Sequence, residues 1–446
     1  MNMEGTGKGQ TLIHEFLRYS ILNICGMIGL SCYILADTFF VSKGLGANGL
    51  AALNLAIPIY SFVHGSGLML GMGGATKFSI FRYQGKTQKA QELCSGMVFL
   101  AIGFSAVFMG TGVGFAGKLT EILGADQEVF AMTKTYLRVI LLFSPAFMLN
   151  DCLICLVRND GSPQLSMTAM LAGSFSNIVM DYVLIFPLHM GILGAVLATG
   201  IAPVISMGVL SRHWKKKENH IRIRRIKVPF SQIYTILSLG VPSLIIEVAS
   251  GVVMIVFNAV ILRLQGNTGV AAYGVIANLS LVVTSIYTGI AQGMQPVISR
   301  FYGCGDRGSI RKIFRYGIVM MLMISAGIYA VFILRANLIV GIFNSEQNPE
   351  LQSIAVIGMK LYFSAIAFAG FNILLSTYFT STEKALPAQI ISLARGFFVI
   401  IPVTLLLAFC FGMTGVWLAY PAAEGLVVLI GLWLNLHAPG IPELMS

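Results

Sequence analysis

Apolar residues occur in twelve runs along the chain, and short polar or charged stretches separate them. Each run has about 20 residues or more, the length that an α-helix needs to cross the hydrocarbon core of a bilayer. The pattern therefore predicts an all-α integral membrane protein with twelve transmembrane helices, called spans 1 to 12 below. Within a few residues, these spans cover 17–41, 49–75, 93–116, 131–156, 165–187, 191–210, 231–262, 270–298, 313–334, 352–378, 387–409 and 412–436.

The chain also contains an internal repeat. Residues 46–85 and 266–305 match without gaps at a displacement of 220 positions. Near the end of each half, Gly191, Gly194, Leu197 and Ala198 return as Gly412, Gly415, Leu418 and Ala419. Two like bundles of six spans are typical of secondary transporters. We predict two pseudo-symmetric six-helix bundles, an N-lobe over 1–210 and a C-lobe over 231–446, joined by a cytoplasmic basic linker over 211–230.

Composition and charge exclude a soluble protein. The chain is 56% hydrophobic and only 11% charged, whereas about 25% charged residues are usual in soluble domains. The net charge of +11 comes from short loops, above all the N-terminus, the even-numbered loops and the cluster from Arg212 to Lys227. By the positive-inside rule, this pattern places both termini in the cytoplasm of a multi-pass protein of the cell inner membrane. We expect a lipid bilayer and small molecules as partners, no nucleic acid, and a monomer.

Five acidic residues lie well inside the predicted spans: Asp37, Asp151, Asp181, Glu247 and Glu424. A charged residue at the centre of a span costs about 2.5–3.5 kcal/mol on insertion scales, so such residues usually face the bundle interior and serve a function. At 1.5 Å per residue, Asp37 and Asp181 lie roughly 6 and 9 Å from the outer ends of spans 1 and 5. Asn177 is one turn from Asp181, and Thr199 in span 6 has a comparable depth. We call these four residues the carboxylate cluster.

Two carboxylates, an amide and a hydroxyl suit two coupling ions. Neighbouring carboxyl groups in an apolar bundle favour holding a proton, while an all-oxygen site also suits a hard cation such as Na⁺. A polar network that only locks spans 1, 5 and 6 together is the structural alternative. The equivalent positions of the second repeat are Phe257 for Asp37 and Tyr420 for Thr199. A purely structural network would be expected in both repeats, so this difference favours a function. No metal other than Na⁺ at this cluster, and no cofactor besides the coupling ion, is predicted.

The second half has its own charged residues. Glu247 in span 7, Arg395 in span 11 and Glu424 in span 12 come out at comparable depths, which predicts a C-lobe charge network. An arginine between two glutamates would offset the burial of all three. A structural ion network and a substrate or proton site are equally compatible with this pattern. Asp151 is one to two turns from Arg158, and we expect these two residues to form an interfacial pair.

The substrate is expected between the lobes, near spans 1, 2, 7 and 8. These spans carry flexible and aromatic side chains with few polar groups, a composition typical of promiscuous binding sites. The candidate cavity residues are Asn54, Tyr60, His64, Met69, Asn278, Tyr287, Gln292 and Met294. Ordinary helix packing is the alternative for each of them. His64 is the strongest candidate, because it is the one histidine that the pattern places in the core of a span.

Several motifs together resemble the MATE (multidrug and toxic compound extrusion) transporters. The run DTFFV at 37–41 and the run LAALNLAIP at 50–58 are similar to the first helix pair of that family. Asn177 and Asp181, followed by the glycine and alanine spacing of 191–199, resemble its helices 5 and 6. Residues 295–305 are similar to the end of its helix 8. The resemblance covers essentially the whole chain, and Glu247 with Glu424 suggests the MepA-like branch.

This resemblance implies cation-driven efflux of amphiphilic, often cationic compounds by alternating access. It also implies that the carboxylate cluster matches the N-lobe cation site and that Glu247 matches the C-lobe carboxylate. Two departures matter. Span 10 carries Asn372 and no acid, which weakens the case for a second cation site. Span 1 lacks a proline where Pro242 marks span 7, so bending of span 1 at a proline is not expected.

Other functions fit the sequence less well. A lipid-linked precursor flippase would be expected to carry extra helices and a cationic central cavity, and a metabolite exporter of the same superfamily is a further alternative. A membrane-embedded enzyme would need a His/Glu metal spacing or a nucleophile in register with a base, and the sequence has neither pattern. We therefore expect a transporter rather than an enzyme, coupled to H⁺, with Na⁺ as the alternative ion.

Overall fold

The computed structural model describes residues 4–223, 228–344 and 347–437, and within these ranges the long elements are α-helices. Their bounds are α1 Glu4–Tyr83, α2 Thr87–Ile122, α3 Phe130–Leu142, α4 Ser144–Asn159, α5 Pro163–Ile185, α6 Gly191–Leu210, α7 Phe230–Gly303, α8 Arg307–Phe343, α9 Pro349–Tyr362, α10 Ile366–Ser381, α11 Ala385–Leu393 and α12 Ile400–His437. Short 3₁₀ turns occupy Ser211–Lys215 and Phe363–Ala365, and a π-helical turn covers Ala394–Phe398. The predicted all-α membrane class is confirmed.

Three glycines divide the longest helices. Eight helices of the described residues are long and apolar enough to cross a membrane, or nine if α3 and α4, which meet at a 49° bend, count as one span. An uninterrupted helix of 74 residues would extend for about 110 Å, far more than a bilayer of about 30 Å. α1 breaks at Gly46, α7 at Gly266 and α12 at Gly412. Division at these glycines yields the twelve predicted spans.

The repeat seen in the sequence is also a repeat of backbone conformation. Gly46 has φ 66° and ψ −157°, and its counterpart Gly266 has φ 61° and ψ −155°. Gly191 and Gly412 likewise share φ values of 60° and 59°. The conformation of Gly46 and Gly266 is essentially restricted to glycine, since a Cβ there would cost of order 1–3 kcal/mol. The repeated glycines therefore mark where the chain turns from one span to the next.

The helices form two compact units. The first unit comprises residues 25–248 and 302–304, and the second comprises the described parts of 1–24, 249–301 and 305–446. These limits differ from the predicted lobes at the starts of spans 1 and 7. Phe16 packs on Tyr316 inside the second unit at a ring-centroid distance of 6.1 Å. Gln232 donates to Glu92 at 2.8 Å inside the first. Side-chain packing thus assigns each of these two helix ends to the bundle of the opposite half.

The basic linker is docked through a buried carboxylate. Asp160, at the end of α4, accepts from Arg82 Nη1 at 2.7 Å, lies 2.8 Å from His213 Nε2 and accepts from the backbone N–H of His220 at 2.9 Å. The Asp160 side chain is fully buried. Residues 211–223 are therefore held on the first unit, whereas the rest of the predicted cluster, 224–227, lies outside the described residues.

Candidate functional site

The structure brings the carboxylate cluster together inside the first unit. The carboxyl groups of Asp37 from span 1 and Asp181 from α5 are neighbours that interact with each other. In the amide orientation that satisfies both ends of Asn177, its Nδ2 donates to Asp181 Oδ2 at 3.0 Å. Its Oδ1 then accepts from the backbone N–H of Thr199 at 3.2 Å. All four side chains are buried, so the cluster has the geometry of an enclosed ion site. Its coupling role stays a prediction.

Small residues allow this enclosure. Asn177 and Asp181 lie one turn apart on the same face of α5, and α6 packs closely along that helix. A Cβ on Gly173 would lie 3.3 Å from the backbone oxygen of Ala202, and one on Gly194 would lie 3.0 Å from Leu184. Close approach of two helices at small residues is a common packing device in membranes. It leaves the carboxyl groups without bulk water.

Two tyrosines that the sequence analysis missed extend the cluster. Tyr136 on α3 is buried and shares a side-chain hydrogen bond with Thr199. Tyr33 lies one turn before Asp37, and its hydroxyl is 3.0 Å from that of Tyr60 on span 2. The spacing of Tyr33 and Asp37 on one helix was a usable signal. Tyr136 had none, because only tertiary packing places its helix beside Thr199.

His64 lies at the centre of a second polar group in the first unit. Its Nδ1 is 3.0 Å from Asp151 Oδ2, and its ring stacks on Tyr60 with a centroid distance of 5.8 Å and an interplanar angle of 6°. Glu247 interacts electrostatically with both His64 and Asp151. The Glu247 side chain passes over Gly65, where an added Cβ would lie 2.9 Å from Glu247 Cβ. We call His64, Asp151 and Glu247 the histidine cluster.

This arrangement corrects two predictions. Asp151 was expected to pair with Arg158, but the pair that it forms is with His64. Glu247 was expected to join Arg395 and Glu424, but the charged groups with which it interacts are His64 and Asp151. The reason is that residues 230–248 of span 7 pack with spans 2 and 4, which turns Glu247 toward His64. Equal depth along separate helices did not imply a shared face.

Arg395 and Glu424 do pair in the second unit. Arg395 Nη2 donates to Glu424 Oε1 at 2.7 Å, and its Nε donates to both carboxylate oxygens at 2.9 and 3.0 Å. Asn372 Nδ2 donates to Glu424 Oε2 at 2.7 Å and to its backbone oxygen at 3.0 Å. Arg395 lies in the π-helical turn, which shifts its register within span 11. The carboxylate is thus well neutralised, and this geometry fits a structural ion pair.

The predicted cavity residues divide into two groups. Met69, Tyr287 and Met294 are buried in the packing of their own units, and the Tyr287 hydroxyl is 2.7 Å from Ser325 Oγ. This burial is what the alternative, ordinary helix packing, would produce. The residues that keep accessible surface are Asn54, Tyr60, His64, Asn278 and Gln292. For these five, a role in substrate binding stays a prediction.

The counterpart positions of the second half carry aromatic side chains instead of polar ligands, although Tyr420 also interacts with Arg395 and Glu424. Phe257, opposite Asp37, is buried and stacks on Tyr273 at 5.3 Å. Tyr420, opposite Thr199, stacks on Tyr362 at 4.4 Å. Within the described residues, no three His, Cys, Asp or Glu side chains are arranged to hold a metal ion. Within the part of the chain that the structure describes, the carboxylate cluster therefore has no equivalent at the matching second-half positions.

Comparisons with known proteins agree with this architecture. The model of the MatE family matches residues 24–183 and 242–406. The chain is 25% identical to the multidrug export protein MepA of Staphylococcus aureus (strain MRSA252), over 93% of this chain and 92% of the relative. It is 24% identical to MepA of Staphylococcus haemolyticus (strain JCSC1435), over 95% and 93%.

Solved structures share the fold. A multidrug resistance MATE family transporter of the MOP superfamily in an outward-facing conformation aligns with a TM-score of 0.88 at 22% identity, covering 94% of each chain. A mutant form of the Vibrio cholerae MATE transporter VcmN aligns with a TM-score of 0.88 at 20% identity, covering 96% of this chain and 98% of the other. These likenesses extend over nearly the whole length of the chain.

Proposed function

The chain belongs to the MatE family, and from this premise we propose that it is an antiporter that exports amphiphilic, cationic organic compounds in exchange for inward-moving H⁺. The names of the MepA relatives, which are multidrug export proteins, support organic compounds as the class of substrate. Those names also support outward movement of the substrate, which an inward H⁺ gradient would drive.

The buried, neighbouring carboxyl groups of Asp37 and Asp181 carry the choice of ion. Two ionised carboxylates repel each other, so a buried neighbouring pair favours holding one proton. Asn177 Oδ1 accepts from the backbone N–H of Thr199, which occupies one of its two lone pairs and weakens it as a ligand for Na⁺. The geometry therefore supports one exchangeable proton at this pair more strongly than a cation held by four oxygen ligands.

The ion gradient supplies enough free energy for this exchange. A membrane potential of 100 mV contributes about 2.3 kcal/mol per charge, and one pH unit contributes about 1.36 kcal/mol. One proton can therefore sustain a substrate gradient of order 10² to 10³ when exchange moves net charge. When one proton is exchanged for one monovalent cation, the potential contribution cancels and only the pH difference remains.

Transport in proteoliposomes tests the proposal. Purified protein is reconstituted, and uptake or release of a small panel of cationic dyes is followed under an imposed pH gradient or an imposed Na⁺ gradient. We expect the pH gradient to drive dye movement at clamped potential, and the Na⁺ gradient to have no effect at clamped pH. Transport that follows Na⁺ and ignores the pH gradient would contradict H⁺ coupling. No movement of any dye under either gradient would contradict the substrate class.

A further inference from the structure

We propose that the histidine cluster is a second proton-binding site, to which the coupling proton passes from the Asp37–Asp181 pair before it leaves the protein. The inference rests on the proposed H⁺ exchange and deepens it, because it divides the proton's route into two stations within one unit. His64, Asp151 and Glu247 all lie in residues 25–248, as does the whole carboxylate cluster.

Side chains with exchangeable protons occupy the interval between the two clusters. Asp37 lies nine residues before the break at Gly46, and His64 lies eighteen residues after it. At 1.5 Å per residue, the two side chains therefore differ in depth by roughly 13 Å. Tyr33 lies one turn from Asp37, and Tyr60 lies one turn from His64. The hydroxyls of Tyr33 and Tyr60 are 3.0 Å apart. A hydroxyl both donates and accepts, so this pair provides a hydrogen-bonded step between the clusters.

Asp151 prepares His64 to accept a proton. His64 Nδ1 lies 3.0 Å from Asp151 Oδ2, which favours the tautomer that carries its proton on Nδ1 and its lone pair on Nε2. A proton taken up at Nε2 produces an imidazolium that Asp151 stabilises, and its departure from Nε2 restores the starting tautomer. Each tyrosine hydroxyl along the route gains one proton and loses one, so its charge is unchanged. The carboxyl pair loses the proton that the imidazole gains.

The charges around His64 favour this uptake. Asp151 from α4 and Glu247 from α7 are the acidic groups that face it, and Tyr60 on its own helix is the neighbouring phenol. The nearest cation further along α4 is Arg158, two turns beyond Asp151. The Arg158 side chain contacts Met72 and Cys155. Two carboxylates around one imidazole attract a positive charge. Partial exposure of the His64 side chain, 16%, leaves a path for its release.

The decisive variant is His64→Gln, which keeps a donor for Asp151 but cannot carry a proton. Dye transport by reconstituted protein is measured in two modes, driven by a pH gradient and as counterflow between equal pH values. Proton transfer by a positioned group is typically worth 10²–10⁴-fold, and water can replace part of that. We therefore expect the rate of driven transport to fall about tenfold or more, and far more than the rate of counterflow. The inflection in the plot of driven rate against pH should also be lost. Tyr60→Phe should reduce driven transport in the same direction.

Matched controls are His14→Gln and Tyr329→Phe, which change one exposed and one half-buried side chain outside both clusters and should match the unmutated protein in both modes. Driven transport by His64→Gln with unmutated rate and pH profile would overturn the inference. An equal loss in both modes would also overturn it, because it would assign His64 to substrate binding or folding. If Asp181→Asn loses driven transport while His64→Gln keeps it, only this inference fails. If the unmutated protein ignores the pH gradient, the proposed function fails and this inference fails with it.

Discussion

Arg395 and Glu424 face each other with two arginine nitrogens on one carboxylate, at distances of 2.7 to 3.0 Å, inside the second unit. Both side chains are largely buried, with 12% and 5% exposure. Removal of one partner from a buried pair typically costs about 3–5 kcal/mol, since it leaves a charge without compensation. We expect Arg395→Met to lower the thermal unfolding temperature in detergent.

The double variant Arg395→Met with Glu424→Gln should recover part of that loss, because it removes the orphaned charge. Glu247→Gln is the matched control for loss of a glutamate charge, and adding it to Arg395→Met should give no recovery, since Glu247 belongs to the first unit. Additive losses for Arg395→Met and Glu424→Gln would mean that the two residues do not interact.

The neighbouring carboxyl groups of Asp37 and Asp181 predict a loss of function without a loss of fold. Asp37→Asn and Asp181→Asn each keep the shape of the side chain but cannot exchange a proton. We expect driven dye efflux to fall to the background of membranes that lack the protein, at matched abundance and unfolding temperature. Asp126→Asn, in an exposed loop where Asp126 accepts from the backbone of Glu128, should keep full transport. Efflux at the unmutated level in both cluster variants would remove the assignment.

Asn372 predicts a pH-dependent effect. Its Nδ2 donates to the Glu424 carboxylate at 2.7 Å, so Asn372→Asp places a second carboxyl group against the first. An ionised Asp cannot donate, whereas a protonated one can. The variant should therefore be destabilised at pH 8, by about 1–3 kcal/mol for a broken buried hydrogen bond, and less destabilised as the pH falls toward 5. The test is the difference in unfolding temperature between the variant and the unmutated protein, measured from pH 8 to pH 5. We expect this difference to shrink as the pH falls. A pH-independent difference would argue against the proximity of the two groups.

Asp160 predicts the stability of the docked linker. Asp160→Ala leaves Arg82, His213 and the backbone N–H of His220 without their acceptor. Because Arg82 is 22% exposed and can regain water, we expect a loss of about 1–3 kcal/mol rather than that of a fully buried pair. Trypsin should cut the basic linker faster in this variant. Glu218→Gln, which removes an exposed charge of the same linker, should leave the cutting rate unchanged. Equal rates in all three proteins would contradict the docking role.

The sequence determined the class of the protein and the positions of its spans. Apolar runs of about 20 residues form transmembrane α-helices, since in a bilayer each backbone polar group must be hydrogen-bonded within its own helix. The repeat likewise located Gly46 and Gly266, because a left-handed turn between two spans requires the same residue in both halves. Asp181 and Asn177 were recognisable as one face of one helix from their spacing alone.

Tertiary structure alone decided which helix faces meet. Tyr136 beside Thr199 and Glu247 beside His64 both join side chains that are far apart in the sequence. A span that is apolar on all sides carries little information about its rotation, since lipid and protein neighbours are equally apolar. Depth could therefore be calculated from the rise per residue, but direction could not. Small residues such as Gly65 and Gly173 set the closest approach of the helices, and this packing determined that Glu247 lies with His64 rather than with Arg395.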